Sequence, residues 1–404
     1  MEPSHGILVL GLNPGLQHIL RLRSLDLGQV NRAEAHTLGV GGKGQNAAKA
    51  ACTLALACEK ARRRRVTVAQ FLGGYTGEQI RQLQEQEGIE DITVAGAMTR
   101  EFMTLVDFPQ DSTDGINRVD EDGSTPCFAT SPTVSELITP SEPVSMAAAE
   151  ELLSKVVAAA PTFRGILLMG TWPSGTTRDF YMEAAKAKAN DAVVLLDAAK
   201  PVQDVLDILE AGNVDIYKVN AMEICNLMGY GCKEGEASEE QIREVAAKAL
   251  LRFSAVKHLA ITDGAKASFL FSRDSRQGTR CTRYDLPAVP WRCARTGDFN
   301  LHSSCTQSWA RKRILSGVCG VNPIGAGDTV AGVLMASLCF GVANDVEDCC
   351  VGERMEDGEA KEAMLFGLAA GSAKVKSEGE GGKLDFETMM GLKAAITATR
   401  ATSQ

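Results

Sequence analysis

Short, continuous apolar runs alternate with amphipathic segments along most of the chain, most regularly from residue 144 onward. The apolar runs predict buried β-strands at residues 7–10, 66–72, 165–169, 192–196, 214–219 and 258–262. The amphipathic segments predict helices at residues 45–58, 77–86, 145–159, 177–189, 202–210, 221–228, 239–253, 361–376 and 386–397. Such alternation is typical of a parallel sheet with helices on both faces. We therefore predict an α/β fold, an αβα sandwich around a mainly parallel, doubly wound sheet.

Two regions break this alternation with brief β-like runs and polar turns. We predict that they form a small β-sheet lid, contributed by residues from about 12 to 38 and from about 92 to 135. A third region, residues 291–316, is basic and lacks periodicity, which indicates an inserted loop. Residues 1–404 are otherwise continuous and are predicted to form a single domain.

Polar residues follow several of the predicted parallel strands. They are residues 170–173, Asp197, Asn220 with Glu223, and residues 262–266. In open α/β sheets the ligand crevice lies outside the carboxyl ends of the strands. We therefore expect these residues to line one site.

The turn Gly325-Ala326-Gly327 opens an apolar helix that carries Asp328 in its first turn. Small residues let backbone amides converge at a helix N-terminus, where the helix dipole favours an anion. If that anion is a phosphoryl group in transit, Asp328 is suited to accept the proton of the attacking hydroxyl. From these residues alone, a simple helix cap is an equally good interpretation of Asp328.

The segment Gly39-Val-Gly-Gly-Lys-Gly44 matches the spacing of a dinucleotide-binding fingerprint. That fingerprint needs an apolar strand immediately before its first glycine, and here residues 34–37 are mostly polar, which disfavours an NADP-dependent oxidoreductase. Gly44 stands where a Walker A loop needs Ser or Thr after the lysine. The glycines favour close approach of a ligand to Lys43, and Asn46 is placed to bond either a sugar hydroxyl or the preceding loop.

Two further features each have a structural and a functional interpretation. Arg100 is able to bind a phosphate with two parallel hydrogen bonds, or it only solubilises an edge strand. Asn220 and Glu223 have the spacing to position magnesium, but the same spacing makes a helix capping box.

Composition narrows the class of protein. The net charge of −9 argues against a general nucleic-acid or membrane-surface binder. The twelve cysteines form no zinc-type C-x-x-C pairs, and no apolar run reaches 18 residues. A cytoplasmic enzyme with free thiols is the expectation. No constellation of His, Cys and Ser suggests a hydrolase.

Several motifs, in this order along the chain, resemble those of the ribokinase/PfkB carbohydrate kinases, most closely the branch of 1-phosphofructokinase and tagatose-6-phosphate kinase. They are Leu12-Asn-Pro14, Gly28-Gln-Val-Asn-Arg32, Gly41-Gly-Lys-Gly-Gln-Asn46, Phe71-Leu-Gly-Gly74, Thr99-Arg100, Gly170-Thr-Trp-Pro173, Val219-Asn220 with Glu223, Thr262-Asp-Gly-Ala-Lys266 and Asn322-Pro-Ile-Gly-Ala-Gly-Asp328. They cover nearly the whole chain apart from the inserted loop.

The resemblance implies a single ribokinase-like kinase domain that uses ATP and Mg²⁺ to phosphorylate a sugar or a sugar phosphate. It implies that Asp328 is the catalytic base and that the amides of Gly325, Ala326 and Gly327 form an anion hole. The residues implied to contact ATP are Lys218, Asn220, Glu223, Thr262 and Gly264, with Asn220 and Glu223 reaching the metal through water or phosphate. The residues implied to bind the sugar are Asn13, Gln17, Arg32, Gly42, Lys43, Asn46 and Arg100. A homodimer formed through the lid is also implied.

The chain departs from the family pattern at three positions. Gln17 stands where an Asp usually accepts bonds from sugar hydroxyls, Phe102 where the branch often has Asn, and Pro323 where it has Ser or Thr. An amide can accept and donate but carries no charge, so recognition of the hydroxyls is expected to change. These departures also suggest an alternative hypothesis, a catalytically weak sugar-binding or regulatory relative.

Overall fold

The computed structural model describes residues 6–57, 64–107, 133–233, 235–274, 278–287, 325–341, 357–376 and 384–401. The inserted loop at 291–316, Pro323 and residues 108–132 of the predicted lid lie outside the described residues. The strands are β1 (Gly6–Leu10), β2 (Gly15–Leu22), β3 (Ala35–Gly41), β4 (Val66–Leu72), β5 (Glu90–Ala95), β6 (Arg100–Asp107), β7 (Thr133–Ile138), β8 (Phe163–Met169), β9 (Val193–Asp197), β10 (Ile216–Asn220), β11 (His258–Thr262), β12 (Ser268–Asp274), β13 (Gly278–Asp285) and β14 (Thr397–Ala401). The α-helices are α1 (Lys43–Ala57), α2 (Gly74–Gln86), α3 (Met146–Ala159), α4 (Asp179–Lys186), α5 (Val202–Glu210), α6 (Ala221–Leu227), α7 (Glu239–Arg252), α8 (Ala326–Phe340), α9 (Asp357–Lys376) and α10 (Phe386–Ala395).

The large sheet has ten strands in the order β5-β4-β1-β8-β9-β10-β11-β12-β13-β14. The first seven of these run parallel. Every residue of β1 and β4 is buried, as expected for strands with helices on both faces. The carboxyl ends of the parallel strands therefore share one edge of the sheet, which is where the predicted polar residues lie.

The strand residues alternate between two apolar cores. Leu8 and Leu10 pack on the face covered by α3, α4, α5, α6 and α7, whereas Ile7 and Val9 pack on the face covered by α1, α8, α9 and α10. This two-residue alternation follows from the pleat of the strand. The predicted αβα sandwich is confirmed.

Two glycines allow close backbone contacts. Gly44 lets the first turn of α1 approach Gly11, and Gly332 lets α8 approach Ala47 on α1. A Cβ on Gly332 would lie 2.1 Å from the carbonyl oxygen of Ala47, and a Cβ on Gly44 would lie 2.4 Å from the Cα of Gly11. No larger residue fits at either position without moving the backbone. The contact between α1 and α8 brings Asn46 close to Asp328.

One end of the large sheet differs from the sequence prediction. The antiparallel strands β12, β13 and β14 extend the sheet beyond β11, and the periodicity did not predict them. The last helix ends at Ala395 rather than near 397, and residues 397–401 form β14 instead. These strands lack the continuous apolar runs that identify the parallel strands. The buried Ser268 and Ser272 bound an apolar run of only three residues in β12, and β13 is mostly polar.

The small sheet has four strands in the order β3-β2-β6-β7. Its boundaries correct two predictions: β5 belongs to the large sheet, so the small sheet resumes at Arg100 rather than near 92, and β3 extends to Gly41 rather than ending near 38. Leu16 on β2, together with Leu72 and Ile80, fixes this sheet against α2. Among the residues that the structure describes, no helix is long and apolar enough to cross a membrane.

Candidate active site

Helix α8 begins at a glycine turn. Gly325 is its N-cap and adopts a left-handed conformation (φ 74°), and a Cβ there would lie 3.0 Å from Nδ2 of Asn46. No side chain caps this helix within the described residues, so its first amides are left for another acceptor. A helix N-terminus of this kind favours a bound anion.

Asp328 lies in the first turn of α8 and is only 9% exposed. Nδ2 of Asn46 donates a hydrogen bond to its Oδ2 over 3.0 Å. Burial raises the pKa of the Asp328 carboxyl above its usual range, while the charge of Lys43 opposes that shift. A carboxylate with a raised pKa and one anchored oxygen is suited to accept a proton through the other oxygen.

Asp197 joins two lysines at the same edge of the sheet. It is 1% exposed at the end of β9, and its two oxygens accept from Nζ of Lys43 at 3.0 Å and from Nζ of Lys218 at 2.7 Å. Although burial alone would raise the pKa of Asp197, Lys218 and Lys43 hold it below its usual range. Asp197 is therefore ionised and fixes both ammonium groups.

The two lysines lie close to the glycine turns. Nζ of Lys218 is 3.1 Å from the point that a Cβ on Gly327 would occupy, so its ammonium adjoins the start of α8. The stem of Lys43 packs beside Gly170, and its Nζ is 3.7 Å from Oε1 of Glu223. The charge of Asp197 raises the pKa of Lys43, so this side chain stays protonated.

Asn220 and Glu223 form a capping box at the start of α6. The Glu223 amide donates to Oδ1 of Asn220 at 2.7 Å, and the Asn220 amide donates to Oε2 of Glu223 at 3.1 Å. The structural interpretation of this pair is therefore correct, and Oε1 of Glu223 remains directed toward Lys43. Thr262 is the register partner of Asn220 on β11, and Gly264 (φ 57°) lies in an exposed turn two residues later.

The side-chain oxygens of Asn220 and Glu223 provide only some of the ligands that a magnesium ion requires. Mg²⁺ in phosphoryl-transfer sites is held by one or two protein oxygens together with phosphates and waters, and Asn220 and Glu223 supply oxygens of that kind. Over the described ranges, no group of three or more His, Cys, Asp or Glu side chains is arranged to hold a metal. The residues therefore fit a metal bound mainly through phosphate and water, and not a cage made by protein alone.

A second group of predicted residues lies where the small sheet meets the carboxyl end of β1. Arg100 donates through Nη2 to the carbonyl oxygen of Asn13 at 2.7 Å, and the Asn13 side chain accepts from Oγ of Ser141 at 2.7 Å. Gln17 is buried, and its Nε2 donates to Oγ1 of Thr104 at 3.0 Å. The Phe102 ring lies against Gly15 and Gly41.

Two residues predicted to bind the sugar, Gly42 and Arg32, lie in turns. Gly42 has a φ of 124°, and a Cβ there would lie 2.4 Å from Oε1 of Gln45, so glycine is required at this turn. Arg32 lies in the exposed turn between β2 and β3. In the part of the chain that the structure describes, no hydrogen bond or ion pair links Arg32 to the other site residues.

The residues immediately before the glycine-rich segment 39–44 form a strand, contrary to the prediction. A strand does lead into Gly39 and Gly41, since β3 covers Ala35–Gly41. This strand pairs antiparallel with β2 in the small sheet and is not part of the parallel sheet. The segment therefore lacks the βαβ context of a dinucleotide-binding fold.

The sequence predicted that Asp197 lies at the carboxyl edge of the large sheet, but it indicated no function for this residue. Its position directly after an apolar strand was the available signal. Nothing in the sequence indicated that Thr104 and Ser141 would form hydrogen bonds with Gln17 and Asn13. Hydroxyl residues are common on strands and in loops, so their presence predicts no particular partner.

The overall structure is similar to several solved structures, each of which is named as a kinase. Phosphofructokinase-2 from Escherichia coli has a TM-score of 0.66 at 16% identity, covering 96% of this chain and 98% of that chain. A possible 1-phosphofructokinase from Thermotoga maritima has a TM-score of 0.65 at 14% identity, covering 98% and 100%. Ribokinase from Giardia lamblia has a TM-score of 0.63 at 15% identity, covering 95% and 98%.

No protein-family model matches the chain, and no curated protein matches its sequence. The structural agreement nevertheless extends over nearly the full length of both chains in each comparison. The chain therefore has the ribokinase fold, shared with the phosphofructokinases to which its sequence motifs pointed.

Proposed function

We propose that this protein is an ATP- and Mg²⁺-dependent kinase that transfers the γ-phosphoryl group to a hydroxyl of a sugar or sugar phosphate. The observation that carries the proposal is the position of Asp328, a buried carboxylate with a raised pKa beside an uncapped helix N-terminus. A proton acceptor and a group of anion-binding amides at one point are what in-line phosphoryl transfer requires. The kinases that share the fold support the same conclusion.

In this mechanism Asp328 accepts the proton of the attacking hydroxyl. Asn46 holds Oδ2 of Asp328, which leaves Oδ1 for the hydroxyl. The amides of Gly325, Ala326 and Gly327 donate to the phosphoryl oxygens as charge develops on them, and Lys218 adds positive charge beside the same turn. Asp197 keeps Lys218 and Lys43 in place while both remain protonated.

ATP would lie along the edge formed by the ends of β10 and β11. Asn220, Glu223, Thr262 and Gly264 are the residues proposed to face it, and the exposed turn at Gly264 leaves room for a base or ribose. Asn220 and Glu223 would hold Mg²⁺ through water or phosphate. When bound, the metal neutralises charge on the transferred phosphate.

The acceptor would lie between this edge and the small sheet, next to Asn13, Gln17, Gly42, Lys43, Asn46 and Arg100, with Arg32 in the neighbouring turn. Gln17 is the observation that favours the second candidate, a sugar-binding relative with weak catalysis, because a neutral amide holds a sugar hydroxyl less strongly than a carboxylate does. In that case sugars would stabilise the protein against heat without substrate-dependent release of ADP.

The decisive test is Asp328→Asn, assayed by ADP release across a panel of sugars and sugar phosphates. Loss of the base is expected to lower kcat by about 10²- to 10⁴-fold, because Asn keeps the shape of the side chain but accepts no proton. Asp179→Asn, at an exposed position in the first turn of α4, is the matched control and is expected to retain wild-type turnover. Near-normal turnover of a folded Asp328→Asn variant would remove Asp328 as the base.

We also propose that two copies pair through the small sheet. Leu27 and Val30, in the turn between β2 and β3, are 90% and 78% exposed, and Leu137 and Ile138 on β7 are also exposed. Leu27 and Val30 are three positions apart in the same turn, and large exposed apolar side chains that lie together are typical of a protein interface.

A further inference from the structure

We infer that Cys225 and Cys232 are a redox modification site, and that a peroxide converts them to a reversible disulfide beside the proposed nucleotide edge. Cys225 lies on α6, Cys232 lies after the turn that follows this helix, and both thiols are free in this structure. The formation of the disulfide is independent of the proposed kinase function. Its effect on ATP binding rests on that function.

Backbone and side-chain contacts bring the two cysteines together. The Tyr230 amide donates to the carbonyl oxygen of Cys225 at 2.8 Å, and Nδ2 of Asn226 donates to that of Cys232 at 3.0 Å. Both cysteines pack in the same apolar cluster, and the Cys225 thiol donates a hydrogen bond to Sγ of Cys232. The two sulfurs are therefore neighbours, and a bond between them would close a ring within residues 225–232.

The turn between the cysteines leaves room for the sulfurs to approach. Gly229 (φ 84°) and Gly231 (φ 62°) adopt left-handed conformations, and a Cβ at either position would lie in open space. A disulfide requires the sulfurs to come within about 2.05 Å of each other, closer than a hydrogen bond brings them. The exposed glycine turn can supply that movement while α6 stays in the core.

The two thiols have different surroundings, which assigns them different roles. Burial raises the pKa of Cys225 to about 12, and its hydrogen bond to Cys232 acts in the same direction, so Cys225 stays protonated. Sγ of Cys232 accepts from Cys225 and also from Nε2 of Gln241 at 3.2 Å. Two donors favour a thiolate, which is the reactive form of cysteine. Cys232 is partly exposed, so a small oxidant can reach it.

The chemistry takes place in two steps. The Cys232 thiolate attacks hydrogen peroxide, so that an S–O bond forms, the O–O bond breaks, and sulfenic acid and hydroxide result. The Cys225 sulfur then attacks the sulfenic sulfur, and the hydroxyl group leaves with the Cys225 proton as water. The two sulfurs together lose two electrons to the peroxide. A dithiol reductant reverses the reaction by thiol–disulfide exchange.

The pair lies next to residues proposed to face ATP. The charge of Asp263 acts on Cys225, and Asp263 directly follows Thr262 in the turn that contains Gly264. Nζ of Lys266, in the same turn, donates to the carbonyl oxygen of Gly235 at 2.7 Å, shortly after Cys232. A disulfide that draws the segment after α6 toward the helix would therefore also displace this turn.

Peptide mapping tests the modification on the full chain. The chain is treated with hydrogen peroxide, its remaining thiols are blocked with iodoacetamide, and it is digested with trypsin without reduction. The tryptic peptide of residues 219–233 contains Cys225, Cys232 and no other cysteine. Mass spectrometry is expected to find this peptide two hydrogens lighter than its reduced form and free of alkylation. Dithiothreitol is expected to restore both thiols.

Three variants separate the roles of the cysteines. Cys225→Ala is expected to stop at the sulfenic acid of Cys232, which dimedone traps, whereas Cys232→Ser is expected to leave the buried Cys225 unmodified. Cys281→Ser, at a buried cysteine on β13, is the control and is expected to form the disulfide as the wild type does. Two free thiols after a peroxide treatment that oxidises added glutathione would overturn the inference, as would a bond from either residue to another cysteine.

The KM for ATP tests the link to the nucleotide edge. Oxidation is expected to raise it by about fivefold or more, the usual size of a coupling between two sites, and dithiothreitol is expected to reverse the change. Cys232→Ser should abolish this response, and Cys281→Ser should retain it. An unchanged KM in a chain that carries the disulfide would overturn the link. A disulfide in a chain that phosphorylates no sugar would support the modification site and count against the kinase function.

Discussion

The pKa of Asp328 is set by a small group of charges at the edge of the large sheet. Burial raises it, Asp197 raises it further, and Lys43 and Lys218 lower it. A general base acts only when it is deprotonated, so the acid limb of the rate profile is expected to follow this pKa. Each neighbouring charge therefore has a predictable effect on the pH dependence of kcat.

Two substitutions are expected to move that acid limb in opposite directions. Lys43→Met removes a positive charge, so the pKa of Asp328 rises and the limb moves to higher pH. Asp197→Asn removes a negative charge, so the limb moves to lower pH, and kcat also falls because Lys43 and Lys218 lose their shared anchor. The measurement is kcat against pH at saturating substrate.

Lys155→Met, at an exposed position on α3, is the control and is expected to leave the profile in place. Asp197→Glu, which keeps the charge, is expected to restore much of the wild-type profile. A shift in the same direction for Lys43→Met and Asp197→Asn would contradict the assignment of the acid limb to Asp328.

At the scale of elements, the site depends on the distance between α1 and α8. Asn46 is carried by α1 and Asp328 by α8, and the two helices touch through Gly332 and the backbone of Ala47. Small residues at this crossing let the helix axes approach closely. The hydrogen bond between Asn46 and Asp328 is a consequence of that approach.

Gly332→Ala is expected to separate the two helices. Its Cβ would lie 2.1 Å from the carbonyl oxygen of Ala47, so the free energy of unfolding should fall by about 1–3 kcal/mol and kcat should fall with it. Denaturant titration and steady-state kinetics measure the two effects. Gly391→Ala is the matched control: it lies in α10 with open space around it, and Ala is expected to leave stability unchanged or to raise it by about 0.5–1 kcal/mol. A Gly332→Ala variant as stable and active as the control would contradict this account of the crossing.

At the scale of the whole molecule, the small sheet stands over the carboxyl edge of the large one and carries the exposed apolar residues Leu27 and Val30. If two copies pair there, burial of these side chains supplies part of the association energy, since apolar surface contributes about 25 cal/mol per Å² removed from water. The pairing would also limit how far the small sheet can move over the site.

Sedimentation velocity tests this pairing. The wild-type chain is expected to sediment as a dimer, and the double substitution Leu27→Asp with Val30→Asp is expected to sediment as a monomer, because charge on an apolar interface is costly. Leu251→Asp is the control, since Leu251 is 81% exposed on α7 and should leave the dimer intact. A wild-type monomer, or a dimer that tolerates the double substitution, would rule out pairing through this surface.

Much of the fold was predictable because its parallel strands are continuous apolar runs. The continuous apolar runs predicted the parallel strands, and the amphipathic segments predicted the helices that cover them. The antiparallel strands β12 to β14 were not predicted, since their pairing depends on contact with β11 and not on their own composition. β5 was assigned to the small sheet for a similar reason: a short half-buried strand can join either sheet.

The sequence by itself determined where the proposed site lies. Gly325 must adopt a left-handed turn, Asp328 must follow it in the first turn of a helix, and polar residues must collect where parallel strands end. These features depend on local backbone geometry and on strand direction, both of which are encoded by neighbouring residues. They were therefore open to prediction before any contact was known.

Only the tertiary structure decided which charged and polar groups pair with one another. Lys43 and Asp197 are 154 positions apart, yet they form an ion pair. Arg100 is 86 positions from Pro14, yet its Nη2 and Nε donate to the carbonyls of Asn13 and Pro14. Hydrogen bonds and ion pairs form only where groups from distant segments come within about 3 Å of each other, and a linear pattern of residues does not contain that information.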